Sequence, residues 1–298
     1  MEGRKMKIGF IGTGVMGAAM AQHLLLAGNE LYVYNRTKSK TDALVANGAT
    51  YCDTPKAIAE HSEIVFSMVG YPKDVREIYF GENGALKAKG SGKIFVDMTT
   101  SEPDLAVEIY EAAKKIGSES LDAPVSGGDI GAKNASLTIM VGGDAAVYEQ
   151  LVPLFEKLGK TIAYQGKAGS GQHTKMANQI AIAGTMTAMT ELLVYANQAG
   201  LDVEKVLNTV GGGSAATWSM TNYAPRILRE DFTPGFFVKH FIKDLGIALG
   251  ESAKMGISLP ATAGAQALYD QLANQGYEND GTQALIKLWW KDGHRPHQ

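Results

Sequence analysis

The sequence predicts a two-domain α/β chain: a mostly parallel sheet covered by helices, then an all-helical part introduced by a long helix. Three observations carry this. An apolar strand at Lys7-Ile8-Gly9-Phe10-Ile11 runs directly into Gly12-Thr13-Gly14-Val15-Met16-Gly17, a G-x-G-x-x-G turn that opens a helix. Up to about residue 165, short β-branched runs alternate with amphipathic helical stretches. From Gln172 to Ala199, Gly184 alone among Gly and Pro interrupts a run of helix formers. The expectation is a Rossmann-type N-terminal domain over 1–166 and an all-helical C-terminal domain over 167–298.

In order, strands are predicted near 6–11, 31–34, 64–69, 93–97, 119–121, 137–141 and 161–164. Helices fill 15–27, 38–47, 55–60, 72–80, 103–115 and 144–158, with Pro72, Pro103 and Asp144 at helix starts. The texture changes at Gly166-Lys167-Ala168-Gly169-Ser170-Gly171. The helix that follows would span roughly 40 Å at 1.5 Å per residue. Its stretches Ile180-Ala181-Ile182-Ala183 and Leu192-Leu193-Val194 are too apolar for one exposed helix. It therefore lies at the centre of its domain or packs on another subunit, and a homodimer or homotetramer is expected. Beyond Gly200 the pattern stays helical, punctuated at Gly211-Gly212-Gly213, Pro234-Gly235, Pro260 and Gly276.

With 298 residues and 45% hydrophobic content the chain can bury two cores. A formal charge of −3 and the lack of a dense basic stripe argue against nucleic acid as a partner. No apolar run reaches the ~18–20 residues of a membrane span, and Met1-Glu2-Gly3-Arg4-Lys5 is not followed by a signal-peptide core. The lone cysteine, Cys52, reads as a small core or loop residue, and a reducing, cytoplasmic setting is expected. The histidines of the tail Trp289-Trp290-Lys291-Asp292-Gly293-His294-Arg295-Pro296-His297-Gln298 lack the spacing and partners of a metal site, and no metal is expected.

Each glycine of the first turn has its own role. Gly12 makes the tight turn, Gly14 lets the backbone approach a pyrophosphate, and Gly17 brings helix and strand close, so the phosphates of a dinucleotide sit at the helix N-terminus. About 20 residues further on, an acid would grip the ribose hydroxyls of NAD. Here Leu31-Tyr32-Val33-Tyr34 ends in Asn35-Arg36-Thr37: no carboxylate repels a 2′-phosphate, and a cation and a hydroxyl can bind one. NADP is therefore expected, with NAD or dual use as the alternative if Arg36, Lys38 and Lys40 form only a basic rim.

Four further segments can carry chemistry. Asp122-Ala123-Pro124-Val125-Ser126-Gly127-Gly128 presents a hydroxyl and successive glycine amides on a turn, a concavity suited to a carboxylate, or else a plain flexible β-turn. In Gly169-Ser170-Gly171-Gln172-His173-Thr174-Lys175-Met176-Ala177-Asn178-Gln179, Lys175 and Asn178 share a helix face. A lysine near a helix N-terminus is disfavoured as the cation, which suits proton exchange, a solvent-exposed lysine being the plain alternative, whereas His173 lies off that face. Asp97-Met98-Thr99-Thr100-Ser101-Glu102-Pro103 is a strand end entering a hydroxyl-rich loop, placed to meet a cofactor, with Ser101 suited to cap the next helix. In Phe236-Phe237-Val238-Lys239-His240-Phe241-Ile242-Lys243-Asp244-Leu245-Gly246, a surface ion pair is the plain reading of Lys243 and Asp244.

In this order and spacing the segments resemble the β-hydroxyacid dehydrogenase family, which includes 3-hydroxyisobutyrate dehydrogenases, tartronate semialdehyde reductases and glyoxylate/succinic semialdehyde reductases. The resemblance spans essentially the whole chain, through the glycine-rich turn, D-x-P-V-S-G-G, G-x-G-x-x-x-K-x-x-N and K-D-L-G. It implies an oxidoreductase in which Lys175 is catalytic, Ser126, Gly127 and Gly128 hold a substrate carboxylate, and Asn178 orients the substrate. By the same resemblance Thr100 and Lys243 contact the nicotinamide half of the cofactor. Phe237 and Asp244 border the substrate, Met68 and Val69 lie along the cofactor, and Val15 and Met16 join the glycines in binding it. Gln179 after Asn178 looks more like the tartronate semialdehyde reductase branch. The expected reaction is hydride transfer between NADPH and a short semialdehyde or ketoacid. The alternatives are an NAD-dependent 3-hydroxyisobutyrate dehydrogenase and a non-catalytic NADP-binding sensor.

Overall fold

The computed structural model describes residues 5–296. Met1–Arg4, on which the reading of the opening segment rested, and His297–Gln298 of the tail lie outside the described residues. The chain forms two compact units, Met1–Lys175 and Met176–Gln298.

The first unit is built on strands β1 (Lys7–Ile11), β2 (Glu30–Tyr34), β3 (Thr50–Tyr51), β4 (Ile64–Ser67), β5 (Ile94–Asp97), β6 (Glu119–Asp122), β7 (Val125–Ser126), β8 (Leu137–Gly143) and β9 (Gly159–Gly166). They form one sheet in the order β3-β2-β1-β4-β5-β6-β8-β7, with β9 paired to β8. Strands β1 to β6 run parallel, whereas β8 is antiparallel to β6 and β7 and parallel to β9.

Alternation along the strands divides the core in two. Ile64 and Phe66 enter one cluster and Val65 the other, and Ile94 and Val96 oppose Phe95 in the same way. On one face Met20, Ala21 and Leu24 of helix Val15–Leu26 and Val147, Leu151 and Leu154 of helix Ala145–Phe155 cover the sheet. On the other lie Ile58 of Pro55–His61, Val75 and Tyr79 of Pro72–Phe80 and Leu105 and Ile109 of Pro103–Lys115. Each fully buried side chain of this size contributes roughly 1.5–3 kcal/mol.

Several expectations need correction. The strand expected over 64–69 ends at Ser67, which leaves Met68 and Val69 in the loop beyond it. The helix expected over 38–47 is a 3₁₀ turn, Lys38–Thr41, followed by a short helix, Asp42–Ala46. The D-x-P-V-S-G-G segment is not a simple turn: Val125–Ser126 form a two-residue strand, and Gly128 starts helix Gly128–Lys133. Glu102, not Ser101, stands at the N-cap of Pro103–Lys115, and no side chain caps that helix.

The second unit begins within the long helix, Ser170–Gln198, close to the expected bounds. Helices Val203–Val210, Trp218–Asn222, Ala224–Leu228, Val238–Lys254 and Pro260–Leu272 follow. One cluster gathers Ala183, Phe241, Leu245, Tyr269 and Leu272, with the rings of Phe241 and Tyr269 4.9 Å apart edge to face. A second joins Met186, Met189 and Leu193 of the long helix to Trp290, so the tail that sequence reading left without a role supplies a core residue.

Candidate active site

The carboxyl ends of β1, β2, β4 and β5 present most of the residues expected at a cofactor. Gly12 takes φ +95°, a conformation that side chains rarely adopt, and a Cβ there would overlap the carbonyl oxygen of Met68. A Cβ on Gly17 would overlap the carbonyl oxygen of Gly12, which explains how the helix sits so close to the turn. Gly14 differs: its Cβ position meets nothing within 4 Å. Gly14 is also the N-cap of Val15–Leu26 and has no side chain to cap it, so the first amides of the helix stand beside open space. Val15 is exposed and Met16 half-buried on this first turn. Such a cradle fits a pyrophosphate.

At the end of β2, Asn35 Oδ1 accepts from the Thr13 amide at 3.1 Å and Asn35 Nδ2 donates to the Thr37 carbonyl at 2.9 Å. Asn35 thus ties the glycine turn to the β2 loop. The Arg36 side chain is 85% exposed, and its Nη1 lies 3.1 Å from Asp74 Oδ1. The next two loops are joined as well, because the Val69 amide donates to Thr99 Oγ1 at 3.0 Å. Beneath them Asp97 is buried, and its Oδ1 accepts from Ser67 Oγ at 2.8 Å and from the Thr99 amide at 3.2 Å. Burial pushes its carboxyl up to about 6, against those hydrogen bonds. Thr100, half-buried, follows in the same loop.

The β6 end carries Asp122, whose carboxylate accepts from the amides of Gly169 and Gln172, each at 2.8 Å. Burial raises this carboxyl too, partly offset by the backbone donors. Ser126, half-buried, leads into Gly127 and Gly128 at φ +126° and +63°. Lys175 lies in the second turn of the long helix and is 6% exposed, whereas His173 is exposed.

In the second unit Asn178 Nδ2 donates to Gln179 Oε1 at 2.7 Å, and Gln179 Nε2 donates to Asp244 Oδ2 at 2.6 Å. Lys243 Nζ lies 2.9 Å from Asp244 Oδ1, a charge contact outside hydrogen-bond alignment. Asp244 is fully buried and the Lys243 side chain 12% exposed, so this is not the surface pair of the plain reading. Phe237 is the N-cap of Val238–Lys254, and its ring contacts His240 at 5.6 Å and Lys239 at 5.1 Å. Sequence reading assigned no role to Asp97, Asp122, Gln172 or Gln179. The position of the two aspartates at strand carboxyl ends was the signal available.

Two family models divide the chain between them. The NAD-binding domain of 6-phosphogluconate dehydrogenase matches residues 7–166, and the NAD-binding domain of NADP-dependent 3-hydroxyisobutyrate dehydrogenase matches residues 169–289. This chain belongs to the β-hydroxyacid dehydrogenase family. A probable 3-hydroxyisobutyrate dehydrogenase-like protein of Arabidopsis thaliana is 50% identical over 94% of this chain and 84% of its own length. The 2-hydroxy-3-oxopropionate reductase of Escherichia coli is 40% identical over 95% of this chain and 96% of its own. The structure of Mycobacterium tuberculosis 3-hydroxyisobutyrate dehydrogenase with L-serine superposes with a TM-score of 0.88 at 28% identity, over 96% of this chain and 99% of that one. As a β-hydroxyacid dehydrogenase the protein is an NAD(P)-dependent oxidoreductase acting on CH–OH groups. Among the described residues no helix is long and apolar enough to cross a membrane.

Proposed function

We propose that this enzyme transfers hydride reversibly between NADPH and the carbonyl of a short, carboxylate-bearing semialdehyde or ketoacid, with Lys175 as the acid/base. The observation that carries the reading is the burial of Lys175 one turn into a helix whose start is tied to the loops at the strand ends. When bound, the nicotinamide supplies the hydride. The chain does the rest. Lys175 as the ammonium stabilises negative charge developing on the carbonyl oxygen and donates its proton there, and as the neutral amine it takes that proton back in oxidation. Ser126, Gly127 and Gly128 hold the substrate carboxylate, Asn178 orients the substrate, and Phe237 and Asp244 belong to its surroundings. Thr100 and Lys243 serve the nicotinamide side, and Met68 and Val69 the cofactor's flank.

The preference for NADP rests on β2 ending in Asn35-Arg36-Thr37, with an exposed guanidinium and no acid at the ribose position. A second reading, NAD-dependent 3-hydroxyisobutyrate dehydrogenase, is favoured by Asp74, which already occupies Arg36. The setting is cytoplasmic and the assembly a homodimer or homotetramer; a monomeric mass by light scattering would remove the latter.

Initial rates with NADPH and NADH against glyoxylate and succinic, tartronate and methylmalonate semialdehydes test the proposal, with Lys175→Ala beside the wild type. One fast aldehyde with NADPH, lost by roughly 10²–10⁴-fold in Lys175→Ala with NADPH binding retained, is expected. Near-normal turnover by Lys175→Ala refutes the acid/base role. Silence against every aldehyde points to a substrate outside this panel or to the sensor reading.

A further inference from the structure

Gln172 is the most deeply buried polar side chain near Lys175, at 0% exposure, and its amide is bonded at both ends. Nε2 donates to the Thr99 carbonyl at 2.7 Å, and Oε1 accepts from the Ser101 amide at 2.9 Å. These two partners fix the orientation of the amide, since a carbonyl only accepts and a backbone N–H only donates. They also bracket Thr100. The backbone of the same residue is held separately by Asp122, whose carboxylate takes the amides of Gly169 and Gln172. Glycines let the helix start approach this closely. A Cβ on Gly171 would overlap the carbonyl oxygen of Met140 and lie 2.6 Å from that of Asp122, and one on Gly142 would lie 2.7 Å from the Gly171 amide nitrogen.

We propose that Gln172 is a positioning residue: its side-chain amide locks the Thr99–Ser101 loop to the helix that carries Lys175, while Asp122 anchors that helix to the sheet. The proposal rests on the reading of Lys175 as the acid/base. Lys175 follows Gln172 by three residues, less than one helical turn, so the loop holding Thr100 and the amine move as one body. A hydride donor and a proton donor must meet the same carbonyl, and a displacement of ~1 Å between them can lower the rate about 10²-fold. The amide satisfies both partners. A methionine of similar length satisfies neither, and an ionised glutamate accepts but cannot donate to the Thr99 carbonyl. A protonated glutamate does both. Of the charged and titratable groups, Asp122 accepts from the Gln172 backbone amide and Asp97 from the Thr99 amide, Glu102 follows Ser101 in the chain, and His173 and Lys175 share the helix of Gln172. Full burial of the position and the two aspartates favour the protonated acid, and the Lys175 ammonium opposes them.

The test uses the full-length protein, NADPH and the fastest aldehyde of the four, with Lys175→Ala as the reference. Gln172→Met is expected to lower kcat about 10- to 100-fold, to change KM for NADPH by less than about threefold, and to enlarge the isotope effect with C4-deuterated NADPH as hydride transfer becomes rate-limiting. A kcat within twofold of wild type, or a fall matched by the fraction unfolded at the assay temperature, overturns the proposal. For Gln172→Glu, the ratio of kcat to that of wild type should climb at least about fivefold from pH 9 to pH 6 as the carboxyl regains its proton. A flat or falling ratio overturns it as well. If Lys175→Ala is itself unimpaired, the acid/base reading fails and the lock falls with it; loss in Lys175→Ala with intact Gln172→Met overturns the lock alone.

Discussion

The two units present their candidate residues by different means. The first, beside the side chains of Gln172 and Lys175, relies on backbone: Gly12, Gly14, Gly17, Gly127 and Gly128 bring amides and carbonyls to the strand ends, and added Cβ atoms at Gly12 and Gly17 would collide with backbone oxygens. The second works through side chains, in a row from half-buried Asn178 through buried Gln179 and Asp244 to half-buried Lys243. Its helical glycines are correspondingly unconstrained. Cβ atoms on Gly184, Gly250 and Gly264 would meet nothing within 4 Å. A backbone site tolerates changes of charge but not of volume at its glycines. A side-chain site behaves in the opposite way.

Removing a charge should therefore do most damage in the second unit. Asp244→Ala takes one partner from a buried ion pair and leaves Lys243 and the Gln179 amide facing a void. Loss of ~3–5 kcal/mol is expected by urea denaturation. A loss below ~1 kcal/mol would mean the row is solvated in solution and the contrast between the units is false. Replacing both partners together, Lys243→Met with Asp244→Leu, should recover most of that stability while impairing catalysis.

Adding volume should do most damage in the first unit. Gly17→Ala places its methyl on the Gly12 carbonyl oxygen, with Phe10 Cε1 behind it at 3.2 Å, and Gly12 is itself tied to the Tyr34 carbonyl at 2.8 Å. Nothing there can yield cheaply. A loss of ~3 kcal/mol is expected, with at least about tenfold weaker NADPH binding by fluorescence titration. Unchanged binding would show that the turn relaxes without disturbing the phosphate cradle.

This contrast also explains what could be read beforehand. The glycine turn, the acid-free end of β2 and the long helix follow from local chemistry, and they stand where residue types and spacing place them. The two-residue strands β3 and β7 are too short to show a period. Helix Gly128–Lys133 is masked by two glycines in six residues. Lys243 and Asp244 look like a surface pair because an i, i+1 ion pair shows nothing of what covers it. Gln172 had no legible role for the same reason: its partners, Thr99 and Ser101, lie more than seventy positions away.

Between these extremes lies Asp97, a charged side chain within the backbone-built unit. Its carboxyl rises from an ordinary value near 3.8 to about 6 because it is buried. The folded protein therefore binds the proton more tightly than the unfolded chain. Stability falls as pH climbs from about 4 to about 6, and the full penalty is present above that window. Asp97→Asn cannot titrate and escapes the fall. Its stability relative to wild type should improve by ~2–3 kcal/mol between pH 4 and pH 7, read from urea midpoints. A difference independent of pH would show that Ser67 and Thr99 keep the carboxylate ionised throughout.

The smallest effect bears on assembly. Gly184 lies exposed in the middle of the long helix with open space at its Cβ position. In an isolated chain Gly184→Ala should stabilise by ~0.5–1 kcal/mol, because alanine loses less backbone entropy on forming a helix. Tyr195 on the same helix is 75% exposed, an unusual degree for a tyrosine on so apolar a segment. If a second copy of the chain packs closely on this face, the added methyl meets a neighbour and the sign reverses, with destabilisation that depends on protein concentration. Thermal denaturation of Gly184→Ala at two concentrations a hundredfold apart thus distinguishes a free helix face from a subunit interface. A gain at both concentrations would move any interface away from Gly184.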